Sequence, residues 1–234
     1  MSSSVSQESS FYPNEKMIPV ITIDGPTASG KGTVASRVAA ALGFDYLDSG
    51  ALYRLSAYKA LKENADLGNE EVLGELAGAL APRFESGRIF LDDEDVTDKI
   101  RAEEVGVAAS KVAALPKVRA ALLDVQKRAR REPGLVADGR DMGSVIFPDA
   151  PLKVFLTASA QARAQRRFNQ LKEKGIVANI DTLTRDLEER DRRDMQRPVC
   201  PLAPAKDAKI LDSSELTIEA TVAQVLQWYR ELTR

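Results

Sequence analysis

Short apolar runs alternate along this chain with longer segments whose apolar positions recur every three or four residues. Val20–Ile23, ending at Asp24, reads as a buried strand. A glycine-rich turn follows, and Lys31–Leu42 then reads as a helix. Phe44–Leu47 is a second short strand, and Gly50–Glu63 places Leu52, Leu55, Tyr58, Ala60 and Leu61 at helical spacing. Leu135–Ala137 and Val154–Thr157 are further strands, the latter running into a helix rich in alanine and arginine. Ile210–Leu211 precedes a final amphipathic helix from about Thr217 to Leu232. Such alternation predicts an α/β fold, a parallel sheet with helices on both faces. The rhythm breaks from Arg83 to Val96, where two short runs flank Ser86-Gly87 as a hairpin would. Helical patterns at Glu103–Ala114 and Lys117–Arg131, separated by Pro116, complete a small mixed module inserted between sheet strands.

Composition narrows the chemistry. The 234 residues are 44% hydrophobic and 29% charged, enough apolar material for a real core. Histidine is absent and Cys200 is the only cysteine, so a disulfide framework, a Cys/His zinc site and a histidine-based triad are excluded. Without a histidine to activate it, Cys200 reads as a packing residue. A net charge of −2 gives no electrostatic case for nucleic acid or an anionic membrane. No apolar run approaches the roughly 20 residues of a membrane span, and MSSSVSQESS lacks the pattern of a secretory signal. A cytoplasmic, monomeric protein is the expectation. Residues 1–16 are serine-rich and polar and are expected to be a disordered extension of a domain spanning 17–234.

The sharpest motif is Gly25-Pro26-Thr27-Ala28-Ser29-Gly30-Lys31-Gly32-Thr33, set between a strand and a helix. Glycines let the backbone curl so that its N–H groups converge on phosphate oxygens. The helix N-terminus adds partial positive charge and Lys31 a full one. This is a P-loop, with the Thr33 hydroxyl able to reach Mg²⁺ or a phosphate. The common form has Ser or Thr directly after the lysine, whereas here Gly32 intervenes. Asp138-Gly139-Arg140-Asp141 closes another apolar strand, at the sheet edge where open α/β folds bind ligands. Asp138 is placed to act on the metal or its waters, and Arg140 can bridge phosphates. Ser49, after the second strand, offers a helix cap.

The GKGT form is that of nucleoside monophosphate kinases of the adenylate kinase type. With ITIDGPTASGKGT, LDSGALYR, SKVAALPKVR, ADGRDMGSVIFPDA and ERDRRDMQRPVCPL in order, the chain resembles the bacterial cytidylate kinase family from about Pro19 to near its end. The resemblance implies that Ser49 lies in the acceptor nucleotide pocket and that Arg54 reaches the monophosphate. It implies that Asp141, Arg119 and Ser110 read cytosine, and that Arg190, Asp194 and Arg197 contact the acceptor ribose and phosphate. Arg166 and Arg167 fall to the donor phosphates or the adenine side. Taken alone, Arg119 fits a solvated helix face equally well. Eight arginines lie between Arg163 and Arg197, interleaved with acids; most fit a solvated helix pair laced with i,i+4 ion pairs.

The expected machine is thus a phosphotransferase moving the γ-phosphoryl of ATP to CMP or dCMP. Lys31, Arg140, Asp138 and Arg190 form its catalytic set. Residues 25–33 with Arg166 and Arg167 hold ATP, and Thr33 and Asp138 hold Mg²⁺ directly or through water. A core of residues 17–63, 132–160 and 198–234 would carry an acceptor-binding insertion at about 64–131. A helical lid at about 161–197 would bend near Gly175 and close over two nucleotides, excluding water. A kinase for another small acceptor such as UMP or AMP remains open, as does a GTP-binding switch. The switch would be expected to carry Asn-Lys-x-Asp, which this chain lacks.

Overall fold

The computed structural model describes residues 18–85 and 88–233; the segment 1–16 and the turn at Ser86-Gly87 lie outside the described residues. Its centre is a five-stranded sheet in the order β2-β6-β1-β7-β8. These strands are β1 (Val20–Asp24), β2 (Asp45–Asp48), β6 (Leu135–Gly139), β7 (Leu152–Thr157) and β8 (Lys209–Asp212). All pairings among them are parallel. β1 is buried along its whole length, its polar Thr22 and Asp24 included with the apolar Val20, Ile21 and Ile23, as a central strand covered on both faces must be.

Side chains from β1 divide between two apolar clusters. Ile21 and Ile23 join Val34 and Val38 of α1 (Lys31–Leu42) and Val225 of α8 (Ile218–Leu232). Val20 points the other way. It joins Leu52 of α2 (Ser49–Lys62), Leu73 of α3 (Glu70–Gly78), Val105 of α4 (Glu103–Val112) and Leu122 of α5 (Pro116–Arg128). The inserted module therefore has no core of its own; its helices share one with the sheet. A small antiparallel sheet, β3 (Arg83–Glu85), β4 (Arg88–Leu91) and β5 (Glu94–Asp95), flanks it, with Glu85 opposite Arg88 as the expected hairpin requires.

Local chemistry sets the ends of these elements. α1 stops at Gly43, whose φ of 67° is left-handed, and Phe44 N–H donates back to the Ala39 carbonyl at 2.9 Å. The expected cap at Ser49 is corrected: Asp48 caps α2, accepting from Ala51 N–H at 3.0 Å, and Ser49 is already helical. Pro116 does not separate two helices but occupies the first turn of α5, where its missing N–H costs nothing. A one-turn π-helix, Met142–Ile146, follows β6. Beyond β7, α6 (Ala160–Glu173) and α7 (Ile180–Met195) form a helical pair joined through Gly175, which has a φ of 72°. Among the described residues, no helix is long and apolar enough to cross a membrane.

The register brings Asp48 beside Asp138 and Asp24 beside Gly139 at the carboxyl edge of the sheet. β1 is the point where strand order reverses, the usual place for a ligand crevice in an open parallel sheet.

Candidate active site

The loop between β1 and α1 is held open by specific contacts. At Gly25 a Cβ would stand 2.0 Å from the Leu156 carbonyl oxygen, so no larger residue fits. Gly30, with a φ of 87°, starts α1. Arg163 of α6 donates to the Thr27 carbonyl at 3.1 Å, and Arg166 to that of Ser29 at 3.4 Å. In a trans peptide the following N–H points oppositely, so the amides of Ala28 and Gly30 face away from α6. Lys31 reaches back over the loop to the Pro26 carbonyl at 3.2 Å.

Beside the loop lies a cavity of ≈ 260 Å³ at the carboxyl edge of the sheet. Six cationic side chains line it, Lys31, Arg54, Arg119, Arg140, Arg190 and Arg197, against four carboxylates, Asp48, Asp138, Asp141 and Asp194. Thr27, Ser49 and Ser110 complete the polar lining. Ser49 donates to the Asp138 carbonyl at 2.8 Å, a contact that Gly139 makes possible: a Cβ there would meet Ser49 Oγ at 2.5 Å. Arg54 donates to the Ile100 carbonyl at 2.7 Å and lies across Gly106.

At one end, Arg119 is ion-paired with Asp141, and both side chains are nearly buried. The solvated-face reading of Arg119 is thereby set aside. The Arg119 guanidinium also sits 5.7 Å from the ring centroid of Tyr53. Cys200 adjoins this pair, and burial raises its thiol above the ordinary value, consistent with a packing role.

From the opposite side α7 contributes a second cluster. Asp194, 1% exposed, accepts from Arg140 Nε at 3.0 Å, from Ser110 Oγ at 3.4 Å, and from Arg197. Arg190 stands one turn earlier, and its buried Nε has no hydrogen-bond partner. Burial, then the repulsion of Arg140, lowers its pKa to about 10. Burial likewise depresses Lys31, helped by Arg140 and Arg190, and raises Asp138, helped by Asp48. The expectation that these arginines are mostly solvated and paired i,i+4 is corrected for this helix pair. Arg163 is buried and pairs across to Asp191, because facing α6 toward the sheet edge leaves no solvent on that side.

Three candidates stand outside the cavity lining. Thr33 is exposed on α1. Arg166 is engaged by Ser213 as well as Ser29. Arg167 reaches Glu103 on α4 at 3.7 Å. Ser29 is buried within the loop, and its hydroxyl has no partner.

Sequence reasoning passed over several participants. Asp24, buried, accepts from the N–H groups of Met142 and Gly143 at 2.9 and 2.8 Å, tying the phosphate loop to the segment that carries Asp141. Its position directly before the loop was the available signal. Tyr46 donates to Asp138 at 2.8 Å, and its hydroxyl lies 3.4 Å from where a Gly32 Cβ would be.

A strand, a glycine-rich loop and a helix, facing arginines from four other helices at the carboxyl edge of a parallel sheet, define a P-loop kinase. The profile of the cytidylate kinase family matches residues 21–231, and the chain belongs to that family. It is 60% identical over 212 residues to the cytidylate kinase of Bordetella bronchiseptica, covering 91% of this chain and 95% of that one. It is 59% identical over 214 residues to that of Paraburkholderia phymatum, covering 92% and 94%. Among solved structures, a gluconokinase from Sinorhizobium meliloti 1021 aligns over 92% of this chain and 94% of its own, at 16% identity and a TM-score of 0.47.

Proposed function

We infer that this chain transfers the γ-phosphoryl of ATP to CMP or dCMP, yielding ADP and CDP or dCDP. The observation that carries this is one cavity joining Lys31 and Thr27 of the phosphate loop to Arg190 on α7 and to the Arg119–Asp141 pair. A donor phosphate, an acceptor phosphate and a base thus have adjoining places.

The attacking group is an oxygen of the acceptor's phosphate monoester. Its second pKa is near 6, so it is mostly ionised at neutral pH and needs no general base. That oxygen bonds the γ-phosphorus as the bridge to the β-phosphate breaks, and ADP leaves with the bridging electron pair. Such chemistry depends on positioning and on positive charge around the transferring group. Lys31, Arg140 and Arg190 supply that charge. Burial, and after it their mutual repulsion, disfavours the charge on Lys31 and Arg190, and entering polyanionic phosphates would offset both.

Asp138 suits Mg²⁺. It is a buried carboxylate with Tyr46 bonded to one oxygen, and Mg²⁺ is bound through one or two carboxylates plus substrate phosphates rather than by a closed protein cage. Thr33 and Asp138 are the proposed holders, directly or through water. Mg²⁺ held there would supply further positive charge to the phosphates.

Ser49, Arg54, Ser110, Arg140, Arg190, Asp194 and Arg197 are assigned to the acceptor, and Arg119 with Asp141 to its base. Cytosine offers an N4 amino donor beside N3 and O2 acceptors, which match a carboxylate and a guanidinium. Residues 25–33, with Arg166 and Arg167, serve ATP. The α6–α7 pair acts as a lid and residues 64–131 as the acceptor-binding insertion. Chromatography of a reaction containing ATP, Mg²⁺ and CMP should show CDP and ADP appearing in equal amounts. ADP accompanied by inorganic phosphate and no CDP would defeat this reading.

A further inference from the structure

Arg163 is 3% exposed, yet all its guanidinium nitrogens are engaged. Nε donates to the Ala158 carbonyl at 2.9 Å, just past β7. Nη1 donates to the Thr27 carbonyl in the phosphate loop and to Asp191 Oδ1, each at 3.1 Å. Nη2 donates to the other oxygen of Asp191, making the pair bidentate. Asp191 lies on α7, and its side chain is also largely buried. Three parts of the chain far apart in sequence thus meet on one side chain.

A buried ion pair is a poor device for stability alone. Apolar residues of similar volume commonly do as well or better, because desolvation offsets the attraction between the charges. What a bidentate pair supplies is a fixed distance and angle. Here the two things fixed are the phosphate loop and α7. Asp191 adjoins Arg190 in sequence and precedes Asp194 by three residues, so all three share about one helical turn. Arg190 and Asp194 line the same cavity as Thr27. Arg190 Nε makes no hydrogen bond that would set its place independently, so its position depends on that of α7.

We propose that Arg163 and Asp191 are positioning residues that set the register of α7 against the phosphate loop. They thereby fix the distance between donor and acceptor phosphates. This rests on the phosphoryl-transfer reading given above. An in-line displacement tolerates little misplacement: an error of about 1 Å costs on the order of 10²-fold in rate. Water must also attack in line with the leaving bridge, but it is small and unanchored, so it can take up that position without being held by α7. Loosening the pair should therefore harm transfer far more than hydrolysis.

The test is the partition of ATP between transfer to CMP and hydrolysis, measured with full-length Asp191→Asn and Arg163→Lys. Asparagine keeps the volume but removes the charge; lysine keeps the charge but cannot span both carboxylate oxygens and the Thr27 carbonyl. Each should shift the partition toward hydrolysis by about 10-fold or more relative to wild type. A partly unfolded variant would lose both activities together and leave the partition unchanged, so a purely structural role gives a different result. Should Asp191→Asn fail to fold, Arg163→Lys alone decides. A wild-type partition in the variants that fold overturns the proposal. A wild-type protein that makes no CDP overturns the phosphoryl-transfer reading instead.

Discussion

Arg119 on α5 and Asp141 at the end of β6 form a nearly buried ion pair at one end of the cavity, with the ring of Tyr53 beneath the guanidinium. Each charge is therefore the other's main compensation. Removing one leaves its partner buried and uncompensated, which typically costs about 3–5 kcal/mol. Asp141→Ala and Arg119→Met should each lower stability substantially. The double variant should be more stable than either, since no orphan charge remains. Urea denaturation of the four proteins checks this, and additive losses in the double variant would refute it.

The same pair governs base choice. Uracil presents an O4 acceptor where cytosine has a donor, and a protonated N3 where cytosine has an acceptor. Each such mismatch in a closed site costs about 1–3 kcal/mol, so CMP should be preferred over UMP by roughly 10- to 10³-fold. Asp141→Ala and Arg119→Met should erode that ratio, chiefly by weakening CMP, while leaving the KM for ATP nearly unchanged. Because a ratio is insensitive to the fraction of folded enzyme, the stability loss does not confuse it. Wild-type ratios in both variants would remove these residues from base reading.

Lys31→Ala should lower turnover by about 10²-fold or more, as expected for a phosphate-clamping charge worth roughly 3 kcal/mol in the transition state. Its melting temperature should hold or rise, because burial and then the repulsion of Arg140 outweigh the attraction of Asp138 and Asp48 for the Lys31 ammonium. Normal turnover in the folded variant would displace the loop from the active site.

Asp24 carries a pH dependence of known sign. Burial, opposed by the hydrogen bonds from Met142 and Gly143, raises its carboxyl to about 6. Such a group contributes stability that is complete below about pH 4, its unfolded value, and is lost as pH rises through 6. In Asp24→Asn that decline, on the order of 3 kcal/mol, should be missing. The slope of stability between pH 4 and 7 is the readout, compared between the two proteins; parallel curves would show that Asp24 does not titrate there.

Gly106→Ala tests Arg54 without touching it. The new Cβ would lie 2.9 Å from Arg54 Nη2, the mobile end of a long side chain, so the arginine swings aside. Alanine's higher helix propensity offsets part of the strain, and the melting temperature should change little. The KM for CMP should rise about 10-fold, the loss of roughly one charge-assisted hydrogen bond, with the KM for ATP unmoved. Equal changes in both would place Arg54 elsewhere.

Much of this arrangement was legible in the residues. The β-branched run before Gly25 and the spacing of glycines to Lys31 announced a strand, a loop and a helix, because those features are local. Asp138 and Arg140 were legible as well, since an apolar strand ending in charge implies the ligand-binding edge. The pairing of Arg163 with Asp191 was not, because the two are 28 positions apart on different helices and no spacing rule connects them. Asp24 was hidden similarly: its partners are backbone N–H groups of Met142 and Gly143, about which side-chain identity says nothing. The π-turn after Asp141 escaped because Met142–Ile146 carries no cap or breaker to mark it. α3 escaped because its apolar face covers only part of two turns.

The most direct measurement is kcat/KM for ADP release from ATP and Mg²⁺ with CMP, dCMP, UMP, AMP and GMP as acceptors, alongside a reaction with no acceptor. CMP and dCMP should lead, with UMP roughly 10- to 10³-fold behind CMP and almost no release without an acceptor. A purine monophosphate or UMP equal to CMP, or release independent of any acceptor, would contradict the assignment of this cavity to cytidine monophosphate.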